Sequence, residues 1–64
     1  MADRRLQVFA TVARLLSFTK AAESLHMTQP AVTFQIRQLE DYFNTRLFDR
    51  THNRISLTSA GHLV

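Results

Sequence analysis

The segment that most constrains this 64-residue chain is Thr28-Gln29-Pro30 together with the apolar spacing that follows it. Threonine is a strong N-cap, because its hydroxyl accepts a backbone N–H that a helix start leaves unpaired. Proline in the first turn needs no intrahelical N–H, and its φ is already set for a helix. Behind this start, Val32, Ile36, Leu39 and Phe43 recur at increments of four, three and four. On a helical wheel they fall within about 60° of arc, so all four are expected to face a core. The helix is expected to run to about Phe43 and to close at Asn44, which tolerates a left-handed backbone.

A helix with one apolar face needs other elements to cover it. Residues 4–16 supply a first helix: Leu6, Phe9, Val12, Ala13 and Leu16 share a face, and Asp3 is the expected cap. A shorter helix follows over 19–26, capped by Thr19 or Ser17. Ala21, Ala22 and Leu25 form its apolar side, and small alanines let two helix axes approach closely. Met27 and Thr28 leave only a brief connection to the third helix. Beyond Asn44, Leu47-Phe48-Asp49-Arg50 and Arg54-Ile55-Ser56-Leu57 read as a β-hairpin around the polar Thr51-His52-Asn53. Thr58 caps a last helix over 59–64. That helix stops without a C-terminal signal, so the chain is expected to be cut from a longer protein. With one Gly and one Pro, a loop-rich all-β fold is disfavoured. The expected class is mainly α: a winged helix-turn-helix of three helices plus a hairpin wing.

Composition narrows the chemistry. There is no cysteine, which excludes disulfides, zinc thiolates and thiol nucleophiles. His26, His52 and His62 are not at metal-ligand spacing, and no Gly-rich phosphate loop exists, so neither a metal site nor an enzyme is expected. His26, at the end of a short helix, reads as a local cap or surface residue. No apolar run approaches the ~20 residues that span a bilayer, and no signal peptide is visible; a cytoplasmic protein is expected. The formal charge is +3, and seven of the eight basic residues are Arg, which suits phosphate and guanine recognition better than Lys.

Two helices joined by a very short turn form the unit that places its second helix in a DNA groove. With the core stripe inward, Pro30, Thr33, Phe34, Arg37 and Asp41 point outward and Gln29 and Gln38 flank them. Gln29 leads at the helix N-terminus and pairs bidentately with adenine; Thr33 suits a base edge or a thymine methyl. Phe34 is an exposed apolar ring that needs a partner, and thymine methyls supply one. Arg37 reaches a guanine or a phosphate. Backbone contacts are expected from Thr19 and Lys20 at the second helix's N-terminus, and from Arg46, Arg50 and Arg54 with His52 and Asn53 on the hairpin. Glu40 and Asp41 lie late in the third helix, so its C-terminal part is expected to stay off the DNA. The alternative for the same fold is a winged-helix module that binds protein.

The runs Ser17-Phe18-Thr19-Lys20-Ala21-Ala22-Glu23-Ser24-Leu25, Thr28-Gln29-Pro30-Ala31-Val32-Thr33-Phe34-Gln35-Ile36-Arg37-Gln38-Leu39-Glu40, Leu47-Phe48-Asp49-Arg50 and Leu57-Thr58-Ser59-Ala60-Gly61 resemble, in order, the N-terminal domain of LysR-type transcriptional regulators. The resemblance covers almost the whole chain. It implies a DNA-binding domain over 1–57, with the helix-turn-helix at about 18–43 and the wing at about 46–57. Residues 58–64 would open a linker helix that pairs subunits. It implies a recognition helix beginning near Thr28, with contacts at Gln29, Pro30, Thr33 and Phe34 and a wing near Asn53 and Arg54. It further implies an interrupted palindromic operator in double-stranded DNA, a homodimer or homotetramer, RNA polymerase as a partner, and no membrane. No cofactor is implied here; a small-molecule effector would bind a C-terminal domain beyond this chain. The chain departs from the family at Phe43-Asn44, where Leu-Gly is usual, and at Phe34, where polar or basic residues are common.

Overall fold

The computed structural model describes residues 4–51 and 54–62. The expected cap Asp3, the hairpin residues His52 and Asn53, and residues 63 and 64 lie outside them. The order is α1 (Arg4–Leu15), α2 (Phe18–Leu25), α3 (Gln29–Phe43), β1 (Phe48–Thr51), β2 (Arg54–Leu57) and α4 (Ser59–His62). This is the winged helix-turn-helix arrangement expected of the sequence.

α1 buries Val8, Phe9 and Val12, with Leu6, Ala13 and Leu15 half-buried against the same core. Leu16, which its spacing places on that face, does not join it. It is 47% exposed and stands in the left-handed region at φ 49°. The chain leaves the helix one residue early because Ser17 must be extended, at φ −156° and ψ 121°, to cap α2. The Ser17 hydroxyl accepts from Lys20 N at 3.1 Å, which settles the cap on Ser17 rather than Thr19. α2 buries Phe18, Ala21 and Ala22. It closes on left-handed His26, with Met27 N donating to Ala22 O at 2.9 Å and His26 N to Glu23 O at 3.3 Å. This pair of bonds satisfies carbonyls that a helix end would leave unpaired.

α3 starts as its sequence dictates. Thr28 Oγ1 accepts from Ala31 N at 3.3 Å, and Pro30 sits in the first turn. Val32, Ile36 and Leu39 are buried. Phe43 is not. It is 42% exposed, and its ring meets Tyr42 edge-on with centroids 5.1 Å apart. The helix ends there: Asn44 is left-handed, and Asn44 N and Thr45 N return to Asp41 O and Glu40 O. The fully buried side chain at this end is Leu47, which the turn brings back onto the core.

A two-stranded hairpin is marginal alone and needs an anchor. β1 and β2 pair antiparallel, with Phe48 opposite Leu57 and Arg50 opposite Ile55. Phe48 is the anchor. Its ring lies 5.3 Å from that of Phe9 and 5.9 Å from that of Phe18, so the wing is seated on α1 and α2. The base of the wing is tied at both ends. Glu40 Oε2 accepts from Leu47 N at 2.9 Å, and Leu47 O accepts from Thr58 N at 3.0 Å. Thr58 Oγ1 donates to Arg46 O at 2.6 Å and caps α4 by accepting from Gly61 N at 3.1 Å. A Cβ at buried Gly61 would collide with the Leu47 carbonyl oxygen and come within 2.8 Å of Leu57 Cδ2. Only glycine lets α4 lie this close to the wing.

Candidate nucleic-acid interface

The outward face of α3 is an open cleft lined by Gln29, Pro30, Thr33, Phe34 and Arg37. These are the five residues expected to read bases; Asp41, outward on the same wheel, does not line the cleft. Pro30, Phe34 and Arg37 are exposed, Phe34 at 61%, while Gln29 and Thr33 are half-buried. Gln29 Nε2 donates to Thr33 Oγ1 at 2.9 Å across one turn of the helix. Thr28 is exposed at the entrance and is held in place by its capping bond.

Thr19 and Lys20 are exposed in the first turn of α2. Neither α2 nor α3 carries an acid in its first turn. No carboxylate in either first turn therefore neutralises the partial positive charge of the helix starts, a setting that suits phosphate oxygens. On the wing, Arg50 lies in β1 opposite Ile55, and Arg54 opens β2 opposite Thr51. His52 and Asn53, expected to contact the backbone, fall outside the described residues.

Arg46 and Glu40 stand differently from what their places in the chain suggest. Arg37 lines both the reading cleft and a second cleft shared with Glu40, Asp41, Asn44, Thr45 and Arg46. A third cleft joins Arg37 and Arg46 to Phe18 and Phe48. Arg46 thus stands beside the recognition face rather than with the wing tip, where its position in the chain groups it. Glu40 is the other. An acid in a helix's last turns opposes the helix dipole, which is a sequence-level sign that something else holds it. That partner is the Leu47 N–H, across the turn.

Among the described residues no helix is long and apolar enough to cross a membrane. A model of the bacterial regulatory helix-turn-helix proteins of the lysR family matches residues 4–62. Over 58 residues the chain is 52% identical to the HTH-type transcriptional regulator CfxR of Cupriavidus necator, covering 91% of this chain and 18% of that protein. The crystal structure of a LysR-family transcriptional regulator from Eggerthella lenta superposes with a TM-score of 0.94 at 43% identity, over 98% of this chain and 90% of that one. The complex of the CbnR DNA-binding domain with DNA gives 0.90 at 40% identity, over 98% of this chain and 72% of that one. The chain spans about a fifth of the length of the curated relatives it matches. By the family match over residues 4–62, and with the structural likeness to LysR-family domains beside it, this chain belongs to the LysR family of bacterial regulatory helix-turn-helix proteins.

Proposed function

We propose that this chain binds double-stranded DNA sequence-specifically and regulates transcription, with α3 entering the major groove N-terminus first. The observation that carries the reading is the cleft of Gln29, Pro30, Thr33, Phe34 and Arg37, open on the face of α3 that the core leaves outward. These five residues read bases. Thr19, Lys20, Thr28, Arg50, His52, Asn53 and Arg54 hold phosphates, with the wing on the backbone or in the minor groove. The CbnR DNA-binding domain, similar over nearly the whole chain, was solved with DNA, which supports DNA as the partner.

Residues 1–57 form the DNA-binding unit, and 58–64 open the helix that pairs two subunits. The longer protein is a cytoplasmic homodimer or homotetramer on an interrupted palindrome. It engages RNA polymerase and takes its small-molecule effector in a further domain. This chain contributes no catalysis and holds no cofactor.

The test begins with selection of binding sites from random duplexes. Affinity for the selected site should fall steeply as salt rises, because several phosphates are contacted. Gln29→Ala should cost about 1–3 kcal/mol on the selected site and much less on random DNA, whereas Arg50→Ala should weaken both about equally. Salt-insensitive or absent duplex binding would instead favour the protein-binding reading. The observation on that side is the exposed Tyr42–Phe43 pair at the far end of α3.

A further inference from the structure

We propose that Gln29 and Thr33 read DNA as one coupled unit: an adenine at Gln29 and, beside it, a base that offers a major-groove acceptor at Thr33. Thr33 acts in addition as the positioning residue for Gln29. The proposal rests on the DNA-binding reading above. Its basis is the direction of one hydrogen bond. Gln29 Nε2 donates to Thr33 Oγ1 at 2.9 Å. A helical threonine commonly turns its hydroxyl back onto the carbonyl four residues earlier. Thr11 does so, donating to Gln7 O at 2.9 Å. Thr33 has Gln29 at the same offset but accepts from its side chain instead. Its hydroxyl hydrogen is therefore left for an acceptor in the cleft.

The remaining groups define a pattern. Gln29 keeps its Oε1 acceptor and its second amide hydrogen. Adenine presents an N6 donor and an N7 acceptor and matches both. Guanine presents acceptors at O6 and N7, and would set O6 against Oε1. The free hydrogen of the Thr33 hydroxyl favours a base acceptor, such as thymine O4 or guanine N7, over cytosine, whose exposed group is the N4 donor and meets only the remaining lone pair of the oxygen. Both residues are half-buried in the cleft, so the amide is oriented before DNA arrives. A side chain held in its bound orientation loses less freedom on binding and discriminates more sharply.

The experiment is site selection from random duplexes with the complete protein and its Thr33→Val, Thr33→Ser and Gln29→Met variants, each checked for folding by thermal melting. The unsubstituted protein should select adenine by ~10-fold or more at one position and disfavour cytosine at its neighbour. Thr33→Val removes the hydroxyl and keeps the branched shape; it should admit cytosine and also weaken the adenine preference at least ~5-fold. Thr33→Ser should retain both preferences. Gln29→Met lets the Thr33 hydroxyl turn back onto the backbone carbonyl at position 29, so both preferences should relax; it tests the coupling independently of the valine variant. The coupling is overturned if Thr33→Val leaves the adenine preference intact, if Gln29→Met leaves the bias against cytosine intact, or if guanine is selected opposite Gln29. Those results would leave the DNA-binding reading standing. Absence of salt-sensitive duplex binding by the unsubstituted protein overturns that reading, and the coupled unit with it.

Discussion

The two ends of α3 are built on opposite plans. At the N-terminal end, Gln29, Pro30, Thr33 and Phe34 line an open cleft, and the one bond between them leaves donors and an acceptor unused. At the C-terminal end, Glu40 is bonded to Leu47, Leu47 to Thr58 and Thr58 to Gly61, and the backbone approach at Gly61 excludes even a methyl group. One end offers unsatisfied groups outward, and the other closes its groups on each other. The contrast teaches that presenting a polar face to a partner requires the same helix to be fixed elsewhere. A reading face within the tolerance of a hydrogen bond needs a support that does not move.

Substitutions can break or sharpen this division. The largest effect is expected at Ile36, which is 2% exposed on the inward side of the helix. Ile36→Ala should destabilise by about 2–5 kcal/mol in denaturant unfolding; an unchanged midpoint would remove the core on which both ends depend. Gly61→Ala comes next. The added Cβ meets backbone rather than a flexible side chain, and should cost about 1–3 kcal/mol. A melting temperature unchanged by this variant would mean that α4 is not locked to the wing. Glu40→Ala leaves the Leu47 N–H without its carboxylate and should cost about 1–2 kcal/mol, with DNA affinity falling through the displaced wing. Phe34→Ala should have the smallest effect on stability, within about 0.5 kcal/mol, because the ring is largely exposed. Its effect should appear in binding to the selected duplex. A loss of stability at Phe34 larger than that at Glu40 would reverse the comparison.

The elements fixed by local chemistry were legible before any coordinates. Thr28 and Pro30 start α3 where capping rules place the start, Asn44 ends it, and four of the five outward residues of the wheel, Pro30, Thr33, Phe34 and Arg37, line the cleft with the flanking Gln29. The misses share a cause. Leu16 and Phe43 continue the right spacing, but spacing does not say where the chain must leave the helix. Ser17 needs an extended backbone to cap α2, and Asn44 turns the chain so that Leu47, not Phe43, is buried at that end. Val8 is the converse: it is fully buried on α1 although the chosen spacing passes over it. The Glu40–Leu47 bond was hidden because it crosses a turn with no regular period. Gln29 and Thr33 are four apart on a helix, a spacing at which side chains meet. Taken singly, each residue suits a base; their mutual bond emerges only when the two are taken as a pair.

Phe48 carries a further consequence. Its ring contacts Phe9 of α1 and Phe18 of α2, while its backbone opens the wing. The span between the wing and the recognition helix is therefore a dimension of the hydrophobic core, not of the hairpin. In the proposed complex that span is the gauge by which two contact points straddle the duplex. A slimmer or bulkier ring at position 48 would recalibrate it, altering which groove widths the protein accepts without changing a single group that touches DNA.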